Sequence, residues 1–253
     1  MFPGKSGGFE KRRGDAGLDA YIRWRQTCEK FDAVKKAGEF CDPQPTIGKE
    51  EPMSPVTRGF HGRAHQQVDA ARLPPGQHVE TGFPVLSAGP TPHTPLDQWT
   101  FEITGAVEQP ASWSWEELLA LPAQTPTVDI HCVTKWSKFD THWKGVSVDT
   151  LLAAVKTSAM FVLATCDGGY STNLPLTDVA GGRAWVVYEY DGQPLHPEHG
   201  GPARLLVPHL YFWKSAKWVR GLTLRDDNAP GFWESYGYNI HGDPWKEERY
   251  TGD

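Results

Sequence analysis

Cysteine is scarce: the 253 residues include only Cys28, Cys41, Cys132 and Cys166, with no C-x-x-C pair among them. That excludes a disulfide framework of the secreted kind and a cysteine-rich zinc knuckle, and a chain of this length can bury a core without such staples. A run of about 20 apolar residues, the length a membrane-spanning helix needs, is also missing. The "EKRR" at residues 10–13 is followed by polar sequence instead of the apolar segment of an export signal. The chain therefore reads as soluble and cytoplasmic, with no membrane span. Basic excess is lacking as well: a formal charge of −6 gives no general attraction to phosphate backbones, so nucleic acid is not an expected partner. No glycine-rich nucleotide loop of the G-x-G-x-x-G or G-x-x-x-x-G-K-[ST] type accompanies the basic residues.

What is abundant is aromatic surface. Eleven tryptophans and 12% aromatic residues serve either a core of large rings or a walled pocket for a flat cofactor. The first segment is nearly charge-balanced and separate in composition. It holds one amphipathic pattern, with Tyr21, Trp24, Cys28, Phe31 and Val34 near helical spacing, before the proline-rich "FCDPQPTIGKEEPMSP" breaks all periodicity. We divide the chain into a loosely ordered N-terminal extension, residues 1–55, and a single domain, residues 56–253.

Within that domain the stretch after Leu73 reads as an extended, ordered loop, and "WTFEITGAV" as a strand ended by Gly105. Ser114 and Glu117 form a capping box for a short helix stopped by Pro122, and Ser147 caps a second one. "AMFVLATC", "RAWVVYEYDGQPL", "ARLLVP" and "KWVRGLTLRD" read as strands, and "GGYSTNLPL" as a turn into a short extended piece. With no regular βαβ alternation, the order predicts a mixed-sheet α+β fold.

Two constellations stand out. In "VDIHCVTKWSKFDTHWKGV" (residues 128–146), Val128, Ile130 and Cys132 share one strand face, so the sulfur points inward, while Asp129 and His131 take the other face. His131 is thus poorly placed to act as a base for the thiol, whereas a sheltered thiolate suits a soft metal. In "HPEHGGPARLLVPHLYFWKSAKWV" (residues 196–219), His199, Arg204, Lys214 and Lys217 occur with no Asp or Glu between His199 and Lys217. Donors without nearby acceptors suggest a bound anion, most naturally a phosphate. The pairs His61/His65 and His196/His199 lack the H-E-x-x-H context of a zinc hydrolase.

Taken together, "HCVTKWS", "GGYSTNLPL", the segment from "DGQPL" to "EHGGPAR", and "KSAKWV" resemble the molybdopterin-binding domain of the sulfite oxidase superfamily. The likeness is to its short bacterial members and to the catalytic subunit of the methionine-sulfoxide reductase, and it spans roughly residues 56–250. It implies a Mo-molybdopterin cofactor and oxygen-atom transfer on a small S-oxide, N-oxide or sulfite-like substrate. Cys132 matches the molybdenum ligand, and Tyr170 and Trp136 join it as expected catalytic residues. Thr165, His199, Arg204, Phe212, Trp213, Lys214 and Lys217, with Leu86 and Gly89 of the loop "FPVLSAGPTP", match the cofactor-binding positions. Sulfite oxidases follow their cysteine with a Gly-Asn-Arg-Arg type sequence, whereas Val133, Thr134, Lys135 and Trp136 follow here, which turns the expectation away from sulfite. No counterpart of the family's haem or immunoglobulin-like domains is present, so a separate, unidentified electron donor or acceptor protein is expected. Two other readings stay open: a non-catalytic module that keeps the pterin and anion platform, and a thiol or zinc hydrolase using Cys132 or the histidines.

Overall fold

The computed structural model describes residues 69–253. The helix expected near Tyr21–Val34, the domain boundary at residue 55 and the His61/His65 pair lie outside them. The proline- and glycine-rich stretch after Leu73 is largely irregular, and within it His78–Val79 (β1) joins a sheet. Alternation then dictates Thr100–Gly105 (β2), whose Phe101 and Ile103 are fully buried, paired with Ala111–Ser114 (β3). The capping box forms as the sequence predicts at Trp115–Ala120 (α1). Ser114 Oγ accepts from the Glu117 N–H at 3.2 Å, and Glu117 Oε2 accepts from the Ser114 N–H at 2.8 Å.

The next elements are Ala123–Gln124 (β4), Thr127–His131 (β5) and a long strand, Trp136–Ser147 (β6), which leads into Val148–Leu152 (α2) under a Ser147 cap. Phe161–Cys166 (β7) and Ser171–Pro175 (β8) form a hairpin followed by Leu176–Val179 (α3). Trp185–Tyr190 (β9) turns at Asp191-Gly192 into Gln193–Pro194 (β10). Arg204–Leu206 (β11), Val219–Arg225 (β12) and Phe232–Ser235 (α4) complete the set.

These strands make two sheets among the described residues. One joins β1, β4, β5, β6, β9, β10 and β11, with β6 as its spine; the other runs β3-β2-β12-β7-β8. Both are mixed, since β1 lies parallel to β6 and β12 parallel to β2 while the remaining pairings are antiparallel. The architecture is the expected α+β, with short helices. A single apolar cluster draws on both sheets, from Phe101, Ile103, Val162 and Leu222 to Val146, Val186 and Leu205. It gives the turns at the strand ends a rigid base.

The twelve-residue β6 is the main element the sequence did not announce. Its buried Ser137 and Thr141 break the apolar pattern, yet each finds a partner: His131 Nδ1 lies 2.9 Å from Ser137 Oγ, and Trp143 Nε1 donates to Thr141 Oγ1 at 2.8 Å. What reads as a polar, site-like mixture is largely a satisfied central strand.

Candidate functional site

Cys132 lies just past β5, where the chain reverses into β6. Its N–H donates to the Trp136 carbonyl at 2.8 Å, and its own carbonyl accepts from the Lys135 N–H at 3.0 Å and from Gln77 Nε2 at 3.1 Å. Lys135 takes a positive φ of 74° to close this turn. The thiol is 7% exposed, with Thr134 Oγ1 3.1 Å away. Burial pushes its pKa up, against the Thr134 hydroxyl and the nearby Lys217 ammonium. His131 is buried too and bonds Ser137, so it is engaged elsewhere and does not serve the thiol as a base.

The second constellation closes over the same place. Gly200-Gly201-Pro202 forms the turn into β11, and only glycine fits at Gly201, because a Cβ there would lie 2.0 Å from the Leu195 carbonyl oxygen. This packing delivers Arg204 to the interior, 1% exposed, where Nη1 donates to the His199 carbonyl at 2.8 Å and Nη2 to the Ser215 carbonyl at 2.6 Å. The Phe212 ring lies 4.1 Å from the guanidinium carbon, and burial draws the guanidinium down to about 9. Lys217 donates to the Leu86 carbonyl at 2.9 Å and the Glu198 carbonyl at 2.6 Å, and burial beside Arg204 brings its pKa down to about 7. Among the described residues neither cation has a carboxylate partner. Three buried nitrogens here, Arg204 Nε, His199 Nδ1 and Trp136 Nε1, have no hydrogen-bond partner among those residues.

An aromatic bowl frames these groups. Phe83 stacks on His199 with ring centroids 4.1 Å apart and meets Trp136 at 6.4 Å, Trp143 at 6.0 Å, Tyr190 at 5.1 Å and Phe212 at 5.9 Å. Phe83, Trp143 and Tyr190 were not foreseen. The one available signal for Phe83 was its place at the head of the loop "FPVLSAGPTP".

Other expected residues are placed differently. Leu86 reaches the cluster through its carbonyl, whereas Gly89 is exposed and, among the described residues, hydrogen-bonds Ser87. Thr165 is not brought in. It lines a cleft of about 320 Å³ with Thr100, Glu102, Asp167 and Arg220, on the face of β7 opposite Cys166, and it is Cys166 that lies near Arg204. Lys214 corrects the inference of donors without acceptors. Fully buried, it pairs with Glu234 Oε1 at 2.7 Å and donates to the Asn173 and Ile240 carbonyls, each at 2.8 Å, so its N–H groups are satisfied inside the protein. The Trp213 ring likewise turns to Glu234, while its carbonyl accepts from the Tyr170 hydroxyl at 2.6 Å.

A sheltered thiol, two buried cations without counter-ions among the described residues, nitrogens unpaired there and a bowl of rings suit a flat, anionic redox cofactor. Residues 88–233 match the family model of the oxidoreductase molybdopterin binding domain, and the chain belongs to that family: it is a molybdopterin-dependent oxidoreductase. It is 43% identical over 197 residues to the uncharacterized oxidoreductase YuiH of Bacillus subtilis, covering 77% of this chain and 100% of that protein. It is 25% identical to the protein-methionine-sulfoxide reductase catalytic subunit MsrP of Campylobacter jejuni, over 57% of this chain and 54% of MsrP. The sulfane dehydrogenase SoxCD of Paracoccus pantotrophus shares the fold, with a TM-score of 0.50 and 23% identity over 54% of this chain and 40% of that one. The orphaned nitrogens and unpaired cations fit the cofactor's anionic and polar edges. No helix among the described residues is long and apolar enough to cross a membrane.

Proposed function

We propose that this enzyme reduces small S-oxides or N-oxides by two-electron oxygen-atom transfer at a molybdenum ligated by Cys132. The observation that carries the reading is the Cys132 thiol, held inward by a tight turn within electrostatic reach of Lys217, which like its neighbour Arg204 lacks a carboxylate partner among the described residues. When bound, the cofactor supplies the two-electron couple and the oxygen exchange that side chains do not offer. The protein supplies placement and charge. Arg204 and Lys217 hold the anionic part, the rings of Phe83, Trp136, Trp143 and Phe212 exclude water, and Tyr170 lies on the substrate side. The loop after the thiol favours a neutral substrate. Val133 and Trp136 are buried, Thr134 offers one hydroxyl, and the loop's only cation is the exposed Lys135. An S=O or N–O group asks for shape and one donor more than for clustered charge. Two protons and two electrons convert the S-oxide to sulfide and water, both electrons coming from a separate electron-donor protein. We assign the reaction to the cytoplasm, on the free Cys132 and Cys166 among the described residues; cell fractionation tests that assignment.

The experiment pairs molybdenum content with turnover of dimethyl sulfoxide and trimethylamine N-oxide under reduced viologen, and of sulfite under ferricyanide. The protein is purified from a host that makes the cofactor. Cys132→Ser is expected to keep much of its molybdenum, gripped elsewhere, and to lose oxide reduction. Wild-type turnover in that variant at equal molybdenum would remove the thiol from the mechanism, and turnover of sulfite alone would overturn the substrate class. A hydrolase using Cys132 would instead show activity without molybdenum. Among the described residues no histidine nitrogen hydrogen-bonds the sulfur, and no group of three metal-ligating side chains gathers.

A further inference from the structure

Glu234 sits on α4, one residue past the span that matches the family, and it is 7% exposed. Its Oε1 accepts from Thr172 Oγ1 at 2.8 Å and Trp213 Nε1 at 3.0 Å, and meets Lys214 Nζ at 2.7 Å. Both side chains of this ion pair are essentially sealed from water, at 1% and 0% exposure. Burying two charges is unfavourable enough that an apolar pair of the same size is often as stable or more so. Stability alone is therefore a weak reason for the arrangement. What it does achieve is to fix one short turn from behind.

That turn runs from Tyr211 to Ser215. Its Phe212 lies beneath Arg204, and its Trp213 carbonyl accepts a 2.6 Å hydrogen bond from the Tyr170 hydroxyl. Tyr170 in turn lies within electrostatic reach of Arg204 and Cys166. With its proton committed to Trp213, the Tyr170 oxygen offers only lone pairs toward the rest of the site. If the Trp213 carbonyl moved, the hydroxyl would be released to donate elsewhere.

We propose that Glu234, paired with Lys214, is a positioning residue of the oxidoreductase site: through Trp213 it holds the Tyr170 hydroxyl in place, with its O–H donating to the Trp213 carbonyl. The functional consequence rests on the reading, given above, that Tyr170 faces the substrate. The positional one does not.

The test uses the full-length, molybdenum-loaded protein labelled with 3-fluorotyrosine. The fluorine resonance lost in Tyr170→Phe identifies Tyr170 among the eight tyrosines. Glu234→Gln keeps the size and an acceptor for Trp213 but removes the charge facing Lys214. It should move the Tyr170 resonance while molybdenum content stays unchanged, and it should lower kcat for dimethyl sulfoxide on the order of tenfold, with KM little altered. In a Tyr170→Phe background the same change should add nothing further, because the two residues act as one unit. An unmoved Tyr170 resonance, molybdenum loss in step with activity, or rate losses that multiply in the double variant would each overturn the proposal. Should Glu234→Gln fail to fold, Thr172→Val, which removes one donor from the same oxygen, is expected to give a smaller shift of that resonance, and no shift again overturns it. If the wild type turns over no S-oxide, the proposed substrate class falls, and the fluorine resonance decides the positional claim alone.

Discussion

Arg204 holds a guanidinium where there is almost no water, and its visible partners are two backbone carbonyls and an aromatic face. Carbonyls satisfy N–H groups but do not neutralise charge, so such a cation calls for an anion, and the orphaned Nε marks one direction from which it can come. Lys217 repeats the argument: burial and Arg204 bring its pKa to about 7, and an anion beside both would restore its charge. Arg204→Ala should therefore weaken cofactor retention by about 2–5 kcal/mol, read as loss of molybdenum from purified protein. Arg204→Lys, which keeps charge but loses the planar fork, should fall between the two. Equal molybdenum in all three would mean that the cofactor is held elsewhere. At this scale Cys132, His199, Arg204 and Lys217 were legible as candidates because they occur in short motifs, whereas Phe212 entered only through the family resemblance of the same segment. Lys214 was misread because its counter-ion, Glu234, lies twenty residues downstream, where no local pattern reveals it. Thr165 falls on the face of β7 opposite Cys166, because a strand turns successive side chains to opposite faces.

Strand β6 explains why the fold supports the site. It pairs with β1, β4, β5 and β9, so the turn at Cys132, the loop carrying Phe83 and the strand carrying Tyr190 all refer to one backbone. Its contact with β9 is close at Gly145, beside a register shift, where a Cβ would come within 2.2 Å of the Val186 carbonyl oxygen and 2.5 Å of Val187 Cα. Backbone on both sides cannot yield as a side chain could. Gly145→Ala is expected to destabilise the fold by about 2 kcal/mol or more, through strain and lost β6–β9 pairing, and a thermal melt measures it. A melting temperature equal to the wild type's would show that the two strands separate there without penalty. The capped helices α1 and α2 were readable because a cap is a contact between residues two or three apart. The spine was not, because burial of Ser137 and Thr141 is made tolerable by His131, Val128 and Trp143 across and along the sheet.

Across the whole described unit, the C-terminal segment closes on the back of the site. The Ile240 carbonyl takes Lys214, the Gly242 carbonyl accepts from the Tyr211 N–H at 2.8 Å, and between them His241 is fastened at both nitrogens. Its Nε2 lies 3.1 Å from Asp178 Oδ2 and its Nδ1 2.9 Å from Glu248 Oε2. Ionised carboxylates only accept, so both contacts are hydrogen bonds at once when the ring carries both protons. The surrounding groups agree. His209 and Arg183 also face Asp178, at 3.2 and 3.4 Å, and the Asp243 N–H donates to Glu248 at 2.9 Å. Hydrogen bonding to Asp178, then to Glu248, raises the His241 pKa above its ordinary 6.5 despite burial, while His209 and His241 hold Asp178 well below the usual carboxylate range. The folded state thus binds the His241 proton more tightly than the unfolded state. Below pH 6.5 both states are protonated and the stabilisation is complete; as pH rises through the folded pKa the proton leaves, one carboxylate loses its donor, and that stabilisation is lost. Melting temperature should therefore decline as pH rises from 6.5 through the raised folded-state pKa of His241. His241→Gln, which can still donate to one carboxylate but does not titrate, should melt lower at pH 6.5 and show a flatter decline. A decline of the same slope in His241→Gln would assign the alkaline loss to another group and leave the segment held by its backbone contacts to Lys214 and Tyr211.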